Sequence, residues 1–198
     1  MLNSLRIGML AVLQLLLPGC AATPTPQFYL LEALSKPAAS TISSSQQRII
    51  GLGPVSIPAV LERKQIVSRA IDNSVQIAEL QQWAAPLKPT ITEVVSQNIG
   101  RLLPNYIVRT YPWNAYGDVQ YRVLLDIIRF DTNVGKTAHL DATWAIIHEK
   151  NHAVISNGHT VLEKGLTDPS YPTAVKALSA LLDNFSQELA KVLTKQLP

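Results

Sequence analysis

A single cysteine, Cys20, constrains this chain more than any other residue. It follows an N-terminus with three parts: a short start carrying Arg6, an apolar run over residues 7–17, and the small residue Gly19. These parts are typical of a secretory signal, and the run is shorter than the roughly 20 residues that span a bilayer. An exported chain with one cysteine forms no internal disulfide, so its fold depends on a hydrophobic core.

The residues around Cys20 explain why a lone cysteine is present. Leu17-Pro18-Gly19-Cys20 resembles the bacterial lipobox, with Pro18 departing from the usual small residue, and predicts removal of residues 1–19 and lipidation of Cys20. An odd cysteine in a secreted protein calls for a modification or a partner thiol; the alternative is a buried free thiol. Two or three acyl chains attach a protein permanently, whereas one binds a bilayer weakly. Ala21, in place of Asp, favours the outer membrane by resemblance to enterobacterial sorting.

Composition predicts a single periplasmic domain over residues 27–198, carried on a tether. The formal charge is +3, of which Arg6 contributes one, and the basic residues are scattered, which argues against a nucleic-acid partner. With 47% hydrophobic and 16% charged residues, the chain is globular and not disordered. Residues 20–26 hold the lipidated cysteine and a Pro-rich, semi-extended tether that lifts the domain off the membrane.

Strand patterns fill the first half of the domain. Apolar and aromatic residues predict strands over residues 28–31 and 48–57, the second interrupted at Gly51, Gly53 and Pro54 by a bulge or an edge. Asp72-Asn73 predicts a hairpin that joins strands 65–69 and 74–80. Helical spacing then predicts a helix over residues 89–103, and the Ser-rich residues 35–47 are typical of a loop.

The second half repeats this order. Residues 106–111, 119–130, 139–146 and 152–163 have strand patterns, and the second of these is apolar on both faces, as in a central strand. An apolar stripe predicts a helix over residues 172–195. The fold class is therefore α+β: a mixed sheet of about seven to eight strands, packed by two amphipathic helices. Pro89-Thr90 and Pro172-Thr173 open the two helices alike, which leaves open either a strands-then-helix unit used twice or chance similarity between two amphipathic helices.

The polar residues form no catalytic or cofactor motif. His139, His148, His152 and His159 fall within one predicted hairpin region. His148 and His152 bracket its three-residue turn and could face each other across it. Two such imidazoles could hold a divalent metal, but a third ligand cannot be placed, and polar residues on a strand rim are the alternative. Asp126 and Asp141 lie on neighbouring strands, where a carboxylate pair suits acid–base work and also structural hydrogen bonding. We predict no catalytic, cofactor or metal site.

The three tryptophans are candidates for packing or for binding. Trp144 lies in the apolar phase of its strand, so we expect it in the core. Trp83 and Trp113 lie near the ends of predicted elements. They suit either interface anchors or satellite packing.

Seven short segments, in order along almost the whole mature chain, resemble the PqiC/YmbA-type family of transport auxiliary lipoproteins. Ala85 stands where the family often has Glu, and the histidine-bearing hairpin is not a recognised family feature. The resembling segments are FYLL (28–31), GPVSIP (53–58), RKQIV (63–67), AELQQWAAPL (78–87), YPW (111–113), YRV (121–123) and DATW (141–144).

The resemblance implies a non-enzymatic role in an ABC-type transport system. Its expected partners are an MCE-domain protein, which bridges the envelope and moves phospholipid, and that protein's inner-membrane components. The lipoprotein would be a homo-oligomeric docking subunit, held on the periplasmic face of the outer membrane by its N-terminal lipid. The alternative is an envelope assembly or interaction lipoprotein, pilotin-like or wall-linked, with no part in lipid transport.

Overall fold

The computed structural model describes residues 24–35, 48–70, 72–113, 118–133 and 135–197. The predicted signal and Cys20 lie outside these residues, as does nearly all of the loop predicted over 35–47. Eight strands form one mixed sheet, and two helices pack on it, which confirms the α+β prediction. The elements are β1 (Gln27–Tyr29), β2 (Arg48–Ser56), β3 (Gln65–Arg69), β4 (Val75–Trp83), α1 (Leu87–Leu102), β5 (Tyr106–Thr110), β6 (Tyr121–Asn133), β7 (Thr137–His148), β8 (Ala153–Gly165) and α2 (Tyr171–Gln196), with a short 3-10 turn at Ala59–Leu61.

Strand β6 is the centre of the sheet. Along one edge it pairs antiparallel with β7, which pairs antiparallel with β8. Along the other edge it pairs parallel with β2 through its first half and with β3 through Thr132 and Asn133. Strand β2 continues to β5, and β3 continues through β4 to β1. On this second edge the sheet therefore divides into two arms, β2–β5 and β3–β4–β1, and each arm is joined to the rest of the sheet through β6.

The strand and helix boundaries follow the sequence patterns closely. The expected hairpin forms between β3 and β4, and Asn73 in its turn has φ 65°, a value that Asn tolerates better than most residues. The register of β2 against β6 shifts between Leu52 and Val55, which confirms the bulge alternative at the Gly-Pro positions. The strand predicted over 119–130 begins two residues later and continues to Asn133, because its pairing with β7 extends through Thr137.

One face of the sheet, here called the covered face, carries both helices. Alternate residues of β6 on this face are almost completely buried, and those of β7 pack beside them: Val123, Leu125, Ile127, Leu140, Ala142 and Ile146. They share one core cluster with the α2 stripe that includes Leu182, Phe185 and Leu189. The opposite face, here called the open face, has no helix packed on it among the described residues, and it carries the charged side chains of β6 to β8.

Helix α2 begins with a well-satisfied first turn. The Ser170 hydroxyl accepts a hydrogen bond from the Thr173 amide, and Pro172 occupies the first turn, where a missing amide proton costs nothing. Hydrogen bonds from Ser170 and Thr173 hold the pKa of the Asp168 carboxyl at about 2. Within the described ranges, neither helix has the length and hydropathy needed to cross a membrane.

Candidate functional site

The predicted lipidation residue, Cys20, lies outside the described residues, so its modification stays a prediction. The described chain begins four residues later and enters the fold at β1, which pairs parallel with the end of β4. The Tyr29 hydroxyl donates to Gln81, and the Tyr29 ring lies 6.5 Å from that of Tyr171. Burial, with a smaller contribution from Tyr171, raises the pKa of Tyr29.

Residues 31–35, here called the strap, cross the two helices. The Glu32 amide donates to Ser179 on α2, the Leu34 amide donates to Asn98 on α1, and Arg101 donates to the Leu34 carbonyl. The strap therefore ties the segment that follows β1 to both helices.

A polar cluster beneath the strap joins the two helices. The buried Asn98 amide group donates to Asp183 at 2.8 Å, and Ser186 lies within reach. Burial raises the pKa of Asp183, while the Asn98 hydrogen bond and the Arg101 charge oppose that rise. Sequence reasoning missed this cluster because Asn98 and Asp183 occupy separate helices; the available signal was an asparagine within a run of apolar positions.

The four histidines do not converge. His148 bonds Asn151 and packs edge-on against Tyr121, while His152 lies in the turn at φ 54°. The expectation that these two face each other is wrong because β8 begins at Ala153, which takes the position opposite His148. His139 pairs with Glu163 at 3.0 Å, and His159 pairs with Asp141 at 2.6 Å. Among the described residues, no three candidate ligands form a metal cluster.

The two strand aspartates have separate partners. Asp126 lies opposite Thr143 and accepts from the Ser56 hydroxyl, whereas Asp141 lies opposite Arg129 and bonds His159. These hydrogen bonds favour a structural role for both carboxylates. The two groups do not act as an acid–base pair, because each is bonded to a different partner. A third carboxylate, Asp131, is 3% exposed on the open face and bonds Arg69 and Arg129 at 3.1 and 2.8 Å.

Two of the tryptophans serve packing. Trp83 is buried in the core, so the interface alternative is wrong for it. Trp144 packs against the core and lies over Gly158, where an added Cβ would stand 2.4 Å from the ring. Its indole donates to Thr160 at 3.2 Å. Glycine at position 158 is therefore the residue that admits the indole ring.

The third tryptophan belongs to an exposed aromatic group. Tyr111 and Trp113, here called the aromatic corner, lie at the end of β5 with rings 5.2 Å apart in an edge-to-face arrangement. The Tyr111 amide donates to the Leu52 carbonyl, yet its side chain is 56% exposed. The corner fits closely over β2. A Cβ added to Gly51 would stand 3.0 Å from the Trp113 ring, and a Cβ added to Gly53, which has φ 118°, would stand 2.9 Å from the Tyr111 Cβ.

A cavity of about 680 Å³ opens beside the corner. Trp113 and Val119 give it an apolar wall, and the remaining lining is polar: Asp118, Gln120, His148, Glu149 and Lys150. An exposed tyrosine and a half-buried tryptophan next to a concavity have the composition of a protein-binding hot spot. The YPW segment was visible in the sequence, but its exposure and the two glycines beneath it depend on the parallel pairing of β5 with β2.

Known proteins match this chain over most of its length. The intermembrane transport lipoprotein PqiC of Escherichia coli K12 is 22% identical over 184 residues, which span 93% of this chain and 94% of PqiC. PqiC of Shigella flexneri matches to the same extent. A crystal structure of an uncharacterized protein, 19% identical, has a TM-score of 0.73 and covers 86% of this chain and 99% of its own. Another from Xanthomonas campestris, 12% identical, has a TM-score of 0.67 over 86% and 96%.

These structural matches establish the fold. The family assignment comes from a family model described as an ABC-type transport auxiliary lipoprotein component, which matches residues 29–190, from β1 into the last turns of α2. That range contains the strap, the aromatic corner and every strand of the sheet except the first residues of β1. The chain therefore belongs to the ABC-type transport auxiliary lipoprotein family.

Proposed function

We propose that this protein is the outer-membrane docking subunit of an ABC-type system that moves phospholipid between membranes with an MCE-domain protein. The observation that carries the proposal is the family match over residues 29–190, together with relatives named for intermembrane transport. We place the protein on the periplasmic face of the outer membrane, held by acyl chains on Cys20. The signal, the lipobox-like residues and Ala21 support this location.

The aromatic corner is the proposed contact for the MCE-domain partner. Tyr111 presents an exposed ring that is held from behind by Trp113 and by its backbone bond to β2. A rigid aromatic side chain loses little conformational freedom on binding, which is why tyrosine and tryptophan dominate hot spots. The cavity beside Trp113 gives a partner side chain a place to insert.

We also propose that the subunit works as a homo-oligomer. Strand β8 supports this proposal, because its thirteen residues pair only with β7 within the described chain. A long edge strand without proline presents unpaired backbone groups that another strand can use. Oligomerisation is tested separately from docking, by light scattering on the detergent-solubilised lipoprotein.

The docking proposal is tested by site-specific photo-crosslinking in living cells. A photoreactive phenylalanine at Tyr111 is expected to capture an MCE-domain protein, and the same residue at Ile128, which is 48% exposed on β6 and belongs to neither proposed interface, is the matched control. Capture of a secretion-apparatus or cell-wall component at Tyr111 instead would favour the assembly alternative. Failure of both positions to capture any envelope protein would contradict the docking role.

Genetic complementation provides the second measurement. Deletion is expected to increase outer-membrane permeability to a large antibiotic. Wild-type protein and Ile128→Ala restore the barrier, while Tyr111→Ala restores it poorly although its melting temperature is unchanged. Full complementation by Tyr111→Ala would overturn the assignment of the corner as the partner contact.

A further inference from the structure

An exposed apolar patch lies where the anchored end of the chain enters the fold. Phe28 is 62% exposed and Leu30 is 56% exposed. They are two residues apart, so both point away from the side on which Tyr29 packs into the core. Phe28 lies opposite Gln82 on β4, and Leu80, also partly exposed, lies two residues earlier on that strand. Phe28 and Leu30 are here called the anchor-side patch.

A basic concavity lies at the end of β4 that pairs with β1. The Ala84 amide donates to the Tyr29 carbonyl, and the Trp83 amide donates to the Lys64 carbonyl, so the end of β1 is joined through β4 to the residues before β3. A cavity of about 470 Å³ at this corner has a largely apolar floor that includes Trp83, Ala84, Ala85 and Pro86. Its charged lining comprises Arg63, Lys64, Lys88 and Glu62.

The charges of this concavity suit an anion. Three cations face one carboxylate, and the single ion pair among them, Lys88 with Glu62, spans 3.9 Å between two half-exposed side chains. Such a pair contributes little, so the Lys88 ammonium remains available to a phosphate. No salt bridge to Lys64 occurs within the described part of the chain, and its side chain is exposed.

The length of the tether limits what can cover the patch. Seven residues separate Cys20 from Phe28, and eight extended steps reach about 25–30 Å. A domain of this size is about 40 Å across. Once Cys20 is fixed in a bilayer, the β1 edge is therefore held within about 25–30 Å of the headgroups, whereas the far side of the domain can lie about 40 Å beyond that edge.

We propose that the anchor-side patch and the Arg63–Lys64–Lys88 concavity form a membrane-docking face, which seats the domain on an anionic bilayer surface. Phe28 and Leu30 enter the interface between headgroups and acyl chains, and the cations bind lipid phosphate. This inference rests on the proposed lipidation of Cys20 and adds an orientation: the β1 edge faces the membrane, and the opposite side of the domain faces the periplasm.

The test uses the full lipoprotein in vesicles of phosphatidylethanolamine and phosphatidylglycerol. Acylation occupies the only native sulfhydryl, so Phe28→Cys and the control Ile128→Cys, at a 48% exposed position on β6, each carry one reactive thiol for an environment-sensitive dye. We expect the dye at position 28 to be blue-shifted, quenched by nitroxide lipids, and several-fold less accessible to iodide than the dye at position 128. Equal iodide quenching at the two positions would overturn the proposal.

A second arm separates this inference from the lipidation proposal. The soluble mature chain with Cys20→Ser is floated with the same vesicles, and Phe28→Ser with Leu30→Ser is expected to lower binding about tenfold relative to Ile128→Ser. Lys64→Gln with Lys88→Gln lowers binding to these vesicles but not to neutral phosphatidylcholine vesicles. If these substitutions leave vesicle binding unchanged, the proposed membrane-docking face is wrong even if Cys20 is acylated. Protection of the dye at position 28 without vesicles would assign the patch to contact between copies and also overturn the proposal.

Discussion

The two faces of the sheet use the same strands for different chemistry. On the covered face, β6 presents Val123, Leu125 and Ile127, all nearly inaccessible beneath the helices. On the open face the same strand presents Asp126, Arg129 and Asp131, whose charges are held by side chains of β2, β3 and β6 itself. Strand alternation makes this division possible. It predicts that the covered face supplies most of the stability and that the open face supplies a smaller share.

The largest expected effect comes from emptying the covered face. Phe185→Ala removes a completely buried ring from α2 and is expected to lower the free energy of unfolding by about 3–5 kcal/mol. The matched change on the open face is Ile128→Ala at the half-exposed bulge of β6, expected to cost about 0.5 kcal/mol or less. Urea unfolding of both variants measures the contrast, and equal losses would refute the division between the faces.

The next effect tests the buried Asp131 carboxylate of the open face. Asp131→Asn weakens two charge-assisted bonds, to Arg69 and Arg129, at a buried position. Because both arginines are partly exposed, we expect a loss of about 1–3 kcal/mol and not the full cost of breaking a buried pair. Asp126→Asn, on the same strand and face but exposed, is the control and should change the unfolding midpoint little. A neutral Asp131→Asn would show that this bridge contributes order alone.

A smaller effect concerns the start of the helix that covers the sheet. Ser170→Ala removes the side-chain acceptor for the Thr173 amide and is expected to cost about 1 kcal/mol by chemical denaturation. Ser170→Asp keeps an acceptor at the cap and should retain most of the stability. If both variants lose the same amount, the capping bond is not the cause.

The sequence predicts the covered face of the sheet better than the open face. The apolar stripe of α2 and the alternation in β7 predicted which residues are buried, since period alone determines which side chains share a face. The pairing of Asp131 with Arg69 could not be predicted. It depends on β3 joining β6 at Ser68 and Thr132, a contact between segments more than sixty residues apart.

The candidate site shows the same limit. The YPW segment was recognisable, and Cys20 was predicted from local residues alone. The prediction that His152 lies opposite His148 was wrong. Strand β8 begins one residue later than predicted, so Ala153 takes that position. A register of this kind depends on the whole ladder between β7 and β8, which a short window of sequence does not contain.

The smallest expected effect is a gain in the free energy of unfolding, from a substitution of Asp183 between the two helices. Burial raises the pKa of Asp183 above its ordinary value of 3.8, so the stability this group contributes is present below that value and is lost as pH rises through the raised pKa. Asp183→Asn keeps an acceptor for Asn98 and does not titrate. We expect the variant to gain relative to wild type as pH rises from 3 to 7, by less than about 1 kcal/mol at neutral pH because the group is partly exposed. Unfolding measured across this range would contradict the assignment if the difference were constant.

The division of the sheet at β6 has a consequence for biogenesis. Strand β2 has no strand partner until β5 and β6 follow it, more than fifty residues later, and β3 gains only its hairpin with β4 before then. A chain emerging from its N-terminus therefore cannot complete either arm while residues 121–133 are still missing. The topology delays consolidation of the leading half, which would suit the export in extended form that we predict from residues 1–19.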